Sequence, residues 1–204
     1  MRLIKAEELA AVSHAINQAE LNTDAELVTV LARQADDYRY IPTLWAAVIA
    51  LLVPGFIWLG GFWLNTLDVL WIQLAVFAVL ALVFRVPWLM LRLVPSSVRR
   101  WRAANLARHQ FLENNLHQTK QSCGVLIFIA EAERYVEIIA DQGIAQHVSQ
   151  AEWQVIVAEF TRQVSKGNTL QGLIGCINSC GVLLAQHAPA TSQKNELPNH
   201  LVLI

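Results

Sequence analysis

Two long apolar runs divide the polar and apolar positions of this chain. No charged residue occurs between Tyr40 and Asp68, and after that acid the chain is uncharged again until Arg85. As a helix, residues 41–64 would rise about 36 Å, more than the ~30 Å hydrocarbon core of a bilayer. The second run, residues 69–84, is shorter. Thr66 and Asp68 can lie at one interface while Arg85 reaches toward the other from a helix continuing into VPWLML. Gly60, Gly61 and Asn65 supply the turn between the runs. Trp58, Trp63 and Trp71 form one aromatic belt, and Tyr38, Tyr40 and Trp88 the other. A buried core hairpin, or a re-entrant loop broken at Pro54-Gly55, is disfavoured because 204 residues cannot wrap so much apolar surface.

Elsewhere the periodicity is that of a globular domain. Leu9, Val12, Ile16 and Ala19 recur at helical spacing and predict a helix over residues 6–20. AELVTVLA, residues 25–32, is β-branched and short, hence a strand. Pro95-Ser96-Ser97 starts a helix that lacks Gly and Pro and is expected to run to about Thr119. GVLIFIA and RYVEIIAD, residues 124–130 and 134–141, read as a β-hairpin across a short polar link. Ser149 and Glu152 form a capping box for a helix to Ser165, Lys166-Gly167-Asn168 ends it, and a further helix covers residues 169–187. Ala190 to Gln193 read as a polar linker, and NELPNHLVLI returns to an apolar end.

Such continuous apolar strands need helices on both faces. The expected fold is therefore α/β, a three-layer α/β/α sandwich with a small mixed sheet, interrupted by a two-helix transmembrane hairpin. Residues 1–40 and 95–204 contribute the domain and residues 41–94 the hairpin.

Charge adds orientation. The turn between the spans has no basic residue, whereas Arg33 and Arg39 precede the first span and Arg85, Arg92, Arg99, Arg100 and Arg102 follow the second. By the positive-inside rule both polar arms face the cytoplasm. The amphipathic, acid-containing start does not resemble a signal peptide, so the first span is expected to serve as the insertion signal. Residues 85–120 hold seven Lys or Arg against one acid, and residues 121–204 hold four against seven. Arg99, Arg100, Trp101 and Arg102 are the expected membrane-interface residues, acting through anionic lipid or simply as a topology signal. Cys123, Cys176 and Cys180 are expected to be free thiols.

The segment GVLIFIAEAERYVEIIADQGI, residues 124–144, resembles the signature of the TPM domain family. The likeness extends to the first strand, Trp153, Gly167, Gly172 and the closing Asn195-Glu196-Leu197-Pro198. The chain is similar to bacterial membrane-anchored members in which a hairpin interrupts the domain. The resemblance implies an α/β/α domain tied to a membrane. In related families this accompanies maintenance of photosynthetic complexes or modulation of a receptor channel, and acid phosphatase activity and calcium binding have been proposed for some members. Here the anchor lies inside the domain and the domain is expected in the cytoplasm, so those roles transfer poorly.

Candidate chemistry is sparse. Glu137 and Asp141 share a strand face and could hold a divalent cation, calcium or magnesium, with help from Glu26, Asp24 or carbonyl groups. Solvated strand-edge acids are the simpler account. Cys176, Cys180 and His187 share a helix stripe that suits a soft metal less well than a small-residue packing face with Gly172, Gly175, Ser179 and Gly181, allowing close approach to the sheet. There is no cysteine-arginine phosphatase spacing, Asp-x-Asp pattern, phosphate loop or serine-histidine constellation.

The expectation is thus an accessory or scaffold protein of the bacterial inner membrane, multi-pass with both termini cytoplasmic. Its partners are the bilayer and other membrane proteins, with no nucleic acid and with a homo-oligomer compatible. The alternative is a divalent-metal-dependent, acid phosphatase-like enzyme.

Overall fold

The computed structural model describes residues 6–119, 121–191 and 201–204. They form two compact units. One comprises the described residues up to Ala35 and from Arg100 onward, and the other spans Asp36–Arg99.

The first unit is built on a four-stranded sheet of order β3-β2-β1-β4. β1 (Glu26–Ala32) runs parallel to β2 (Gly124–Ala130), in register from Glu26↔Gly124 to Ala32↔Ala130. β3 (Tyr135–Ala140) pairs antiparallel with β2. β4 (Leu201–Leu203) lies parallel to β1, from Thr29↔Leu201 to Leu31↔Leu203. Every position of β1 and β2 is buried, so their sequences run apolar without alternation.

Helices cover both faces. Leu27, Leu31, Val125, Ile127 and Ile129 share one core with α1 (Leu9–Glu20), α7 (Gln150–Ser165) and α8 (Thr169–His187). Val28, Val30, Leu126 and Phe128 point the opposite way, onto Ala103, Ala107 and Phe111 of α5 (Ser96–Glu113). This is the expected three-layer mixed α/β arrangement.

Several local expectations are corrected. α5 stops at Glu113 rather than running to Thr119. Asn115 adopts a left-handed conformation, φ 56°, which asparagine tolerates better than most residues. The following 3-10 turn, Leu116–Gln118, brings Leu116 into the core. The apolar end becomes β4, a strand too short to signal itself and formed only against the edge of β1. The small residues of α8 serve helix contacts more than sheet contacts. A Cβ on Gly181 would lie 2.7 Å from Ala19 Cβ on α1, and one on Gly172 would lie 2.8 Å from Gln163 Cβ on α7. All three cysteines are free and buried, as free cysteine usually is. The hydrogen bond with Cys176, reinforced by burial, holds the Cys180 thiol well above its ordinary range. The segment Asn195-Glu196-Leu197-Pro198 lies outside the described residues.

The second unit is a helical hairpin, α2 (Tyr40–Leu59) and α3 (Thr66–Val83), with Ala46 and Ala50 buried in α2. α3 buries no residue, and Leu51, Phe56, Trp58, Leu67, Trp71 and Leu82 are each more than two-thirds exposed. α3 does not continue into VPWLML. Val86 is extended and Pro87 opens a separate helix, α4 (Pro87–Leu93), because proline disfavours helical backbone in the residue before it and cannot donate an amide hydrogen bond. Arg92 stacks on Trp88 at 4.2 Å instead of prolonging a span. Tyr38 is no belt residue. It is fully buried with Ile41 and Val94, whereas Tyr40 and Trp88 are exposed.

The α1–α8 approach depends on glycine at 181. Gly181→Val should destabilise the protein by about 1–3 kcal/mol through overpacking against Ala19. The thermal midpoint of the detergent-solubilised protein reads this, and an unchanged midpoint would contradict the close approach.

Candidate functional site

The two ends of the sheet differ in chemistry. At the carboxyl ends of β1 and β2, where open α/β sheets bind ligands, the β2–β3 turn clasps the strand leaving β1. Glu131 N donates to Ala32 O at 2.9 Å, and Ala132 N to Arg33 O at 3.2 Å. Ala35 N donates to Glu133 Oε1 at 3.0 Å. The turn closes with Arg134 N on Glu131 O at 3.2 Å, and Arg134 has a left-handed backbone, φ 53°.

Beside this turn lies a cleft of about 520 Å³ between the hairpin and the C-terminal half of α7. That is within the usual range for small-molecule sites. Ile129, Val136, Phe160 and Val164 form its apolar lining, and Glu131, Arg134, Thr161 and Ser165 its polar rim. Sequence reasoning missed it. The available signal was the four-residue turn EAER, which places arginine where glycine or asparagine would meet a left-handed requirement at lower cost.

The opposite end carries Glu26 and Asp141, two of the three acids expected to hold a cation. Glu26 pairs with Gly124, and Asp141 N donates to Gly124 O at 2.8 Å, so these two acids flank Gly124 about two strand spacings, ~9.5 Å, apart. Glu137 pairs with Phe128, four residues along β3 from Asp141 and thus about 13 Å away. Its carboxylate accepts the Tyr135 hydroxyl at 2.8 Å. Burial, reinforced by that carboxylate, pushes the Tyr135 phenol above its ordinary range. Asp141 Oδ1 instead caps the short helix α6 (Gln142–Ala145) by accepting from Gln142 N at 2.8 Å. The three acids are therefore not brought to one point, and no three His, Cys, Asp or Glu side chains among the described residues form a metal-holding group.

Two other candidates are equally dispersed. Cys176 and Cys180 face the core, while His187 is exposed and stacks with His147 at 6.1 Å between ring centroids. Arg99, Arg100, Trp101 and Arg102 occupy the first turns of α5. Trp101 is 56% exposed and lies beneath the Arg102 guanidinium at 5.0 Å.

Residues 93–182 match the family model of the TPM domain. A TPM domain is thus present over residues 93–182. The NMR structure of BA42 protein from the psychrophilic bacterium Bizionia argentinensis is similar in fold, with a TM-score of 0.61 and 21% identity over 98% of this chain and 94% of that one. No curated protein matches the sequence. The family match spans β2, β3 and most of α8 but stops short of β1 and β4, which complete the four-stranded sheet of this unit.

One carboxyl group in the sheet-containing unit is strongly perturbed. Glu20, at the end of α1, is held at a pKa of about 7 by burial, opposed by the Leu27 N–H it accepts at 3.1 Å and reinforced by the nearby Glu26 charge. Its Oε2 is buried without a hydrogen-bond partner. Because the folded state binds this proton more tightly than the unfolded chain, stability falls as pH rises from about 4.5 to about 7. Glu20→Gln should remove that slope. After discounting for partial exposure, the variant should be on the order of 1–2 kcal/mol more stable than the parent at pH 8 and lose that advantage below pH 4.5. Thermal midpoints across this pH range would test it, and parallel pH curves for the two proteins would refute it.

Proposed function

We propose that this protein is a multi-pass protein of the bacterial inner membrane whose TPM domain is a cytoplasmic docking module for other membrane proteins. The observation that carries the membrane part is the α2–α3 hairpin. Both helices are long and apolar enough to cross a bilayer, and their large side chains point outward, with Asp68 the single charged residue in either helix. A soluble protein rarely exposes so much contiguous apolar surface. A third helix, α8, also meets the length and hydropathy requirement, but Leu173, Ile177 and Leu184 on one of its faces are spent in the sheet core. Two crossings leave both chain ends on one side.

Arginine placement supports a cytoplasmic side for those ends. Arg33 and Arg39 precede the hairpin, Arg85, Arg92, Arg99, Arg100 and Arg102 follow it, and residues 60–65 contain none. Arg99, Arg100, Trp101 and Arg102 then serve at the membrane interface, where basic side chains and tryptophan are favoured. The docking role is supported by the separation of Glu26, Glu137 and Asp141, since one calcium ion takes oxygens at 2.3–2.6 Å from several groups at once. A metal-dependent phosphatase on these acids has only the family resemblance behind it.

A reporter enzyme active only outside the cytoplasm, fused after Ile204, should remain silent in intact cells. Activity of that fusion would overturn the topology. Purified protein should release no more phosphate from p-nitrophenyl phosphate with magnesium, manganese or calcium than Asp141→Ala does. Metal-dependent turnover lost in that variant would replace the docking module with an enzyme.

A further inference from the structure

We propose that the cleft between the β2–β3 turn and α7 binds a small organic monoanion with an apolar body, such as an arylalkyl carboxylate, with Arg134 as the anion-binding residue. Among the described residues, the cleft combines an apolar lining with one fixed cation that has no side-chain partner. Ile129, Val136, Phe160 and Val164 line the cleft and give a hydrocarbon chain or ring an apolar wall. The Arg134 guanidinium is exposed at the rim and makes no ion pair or side-chain hydrogen bond among the described residues. Arg162, from the same stretch of α7, is by contrast engaged with Glu159 at 2.6 Å.

The backbone makes this arginine notable. The turn requires a left-handed residue at position 134, and glycine or asparagine meets that requirement with less strain than arginine. Strained positions of this kind concentrate at ligand sites. The other rim groups restrict the ligand further. The Thr161 hydroxyl donates to Val157 O at 2.8 Å and the Ser165 hydroxyl to Arg162 O at 2.7 Å, so both offer lone pairs rather than protons. Glu131 brings a negative charge to the same rim. One anionic group facing Arg134 is therefore accommodated, and a phosphate dianion is repelled.

The membrane and docking proposals are independent of this site. The test uses the full chain in lipid nanodiscs titrated with 4-phenylbutyrate, with empty nanodiscs subtracted, beside 4-phenylbutanol and inorganic phosphate. Arg134→Gly keeps the left-handed turn without a side chain and should melt no lower than the parent. It should bind 4-phenylbutyrate about tenfold or more weakly, the loss expected for one charge-assisted contact. Thr161→Trp, on the exposed face of α7, should block the cleft and abolish binding. 4-Phenylbutanol should bind the parent and Arg134→Gly equally and weakly, and phosphate should bind neither. Equal affinity of the parent and Arg134→Gly for 4-phenylbutyrate would overturn the proposal. So would binding of phosphate or of the alcohol as tight as that of the carboxylate, or a signal no larger than that of empty nanodiscs.

Discussion

The parallel pairing of β1 with β2 is the constraint on which the domain rests. The two strands meet over seven residues each and are buried on both faces, so nearly every side chain in them must be apolar. A fully buried Val, Leu, Ile or Phe contributes about 1.5–3 kcal/mol, which is what makes so short a pair a sufficient centre. The register also demands space. A Cβ on Gly124 would sit 2.2 Å from the Leu116 carbonyl oxygen, so the strand can begin there only as glycine. Glu26 and Thr29 are the polar exceptions, and the Thr29 hydroxyl is buried in the strand without a hydrogen-bond partner among the described residues.

Parallel strands need a crossover, and here the crossover contains the apolar hairpin as well as α5. Loop-closure cost grows only logarithmically with length, so an insertion between β1 and α5 adds little to the entropy of pairing β1 with β2. An apolar helical hairpin is therefore accommodated inside the fold at little entropic cost. Both chain crossings at the insertion must still connect to a sheet whose pairing is fixed from Glu26 to Ala32.

The two ends of the sheet divide the polar chemistry. Where β1 and β2 begin, the acids are occupied in local tasks, with Asp141 capping α6 and Glu20 holding the Leu27 amide. Where those strands end, the tight β2–β3 turn and α7 leave a cleft between them, with a charged side chain on a strained backbone at its edge. The second end is the more adaptable. Its side chains are set by a turn and a helix terminus rather than by the sheet core, and such positions carry binding functions more often than packed ones do.

The elements legible in the sequence were those with local causes. The β-branched runs of β1 and β2, the capping box of Ser149 and Glu152, the glycine after α7 and the uncharged stretch of the hairpin each follow from chemistry within a few residues. What only the tertiary structure decided involves partners distant in sequence. β4 exists because the edge of β1 offers hydrogen bonds, Tyr38 is buried because Ile41 and Val94 enclose it, and Glu20 holds its proton more tightly than a free carboxyl because it is buried beside Glu26. The cleft belongs to this second class. Its lining comes from two strands and a helix some thirty residues apart, and no local pattern encodes the space left between them. Periodicity and capping act through neighbouring backbone groups, whereas burial, strain and void shape arise only when separate segments compete for the same volume.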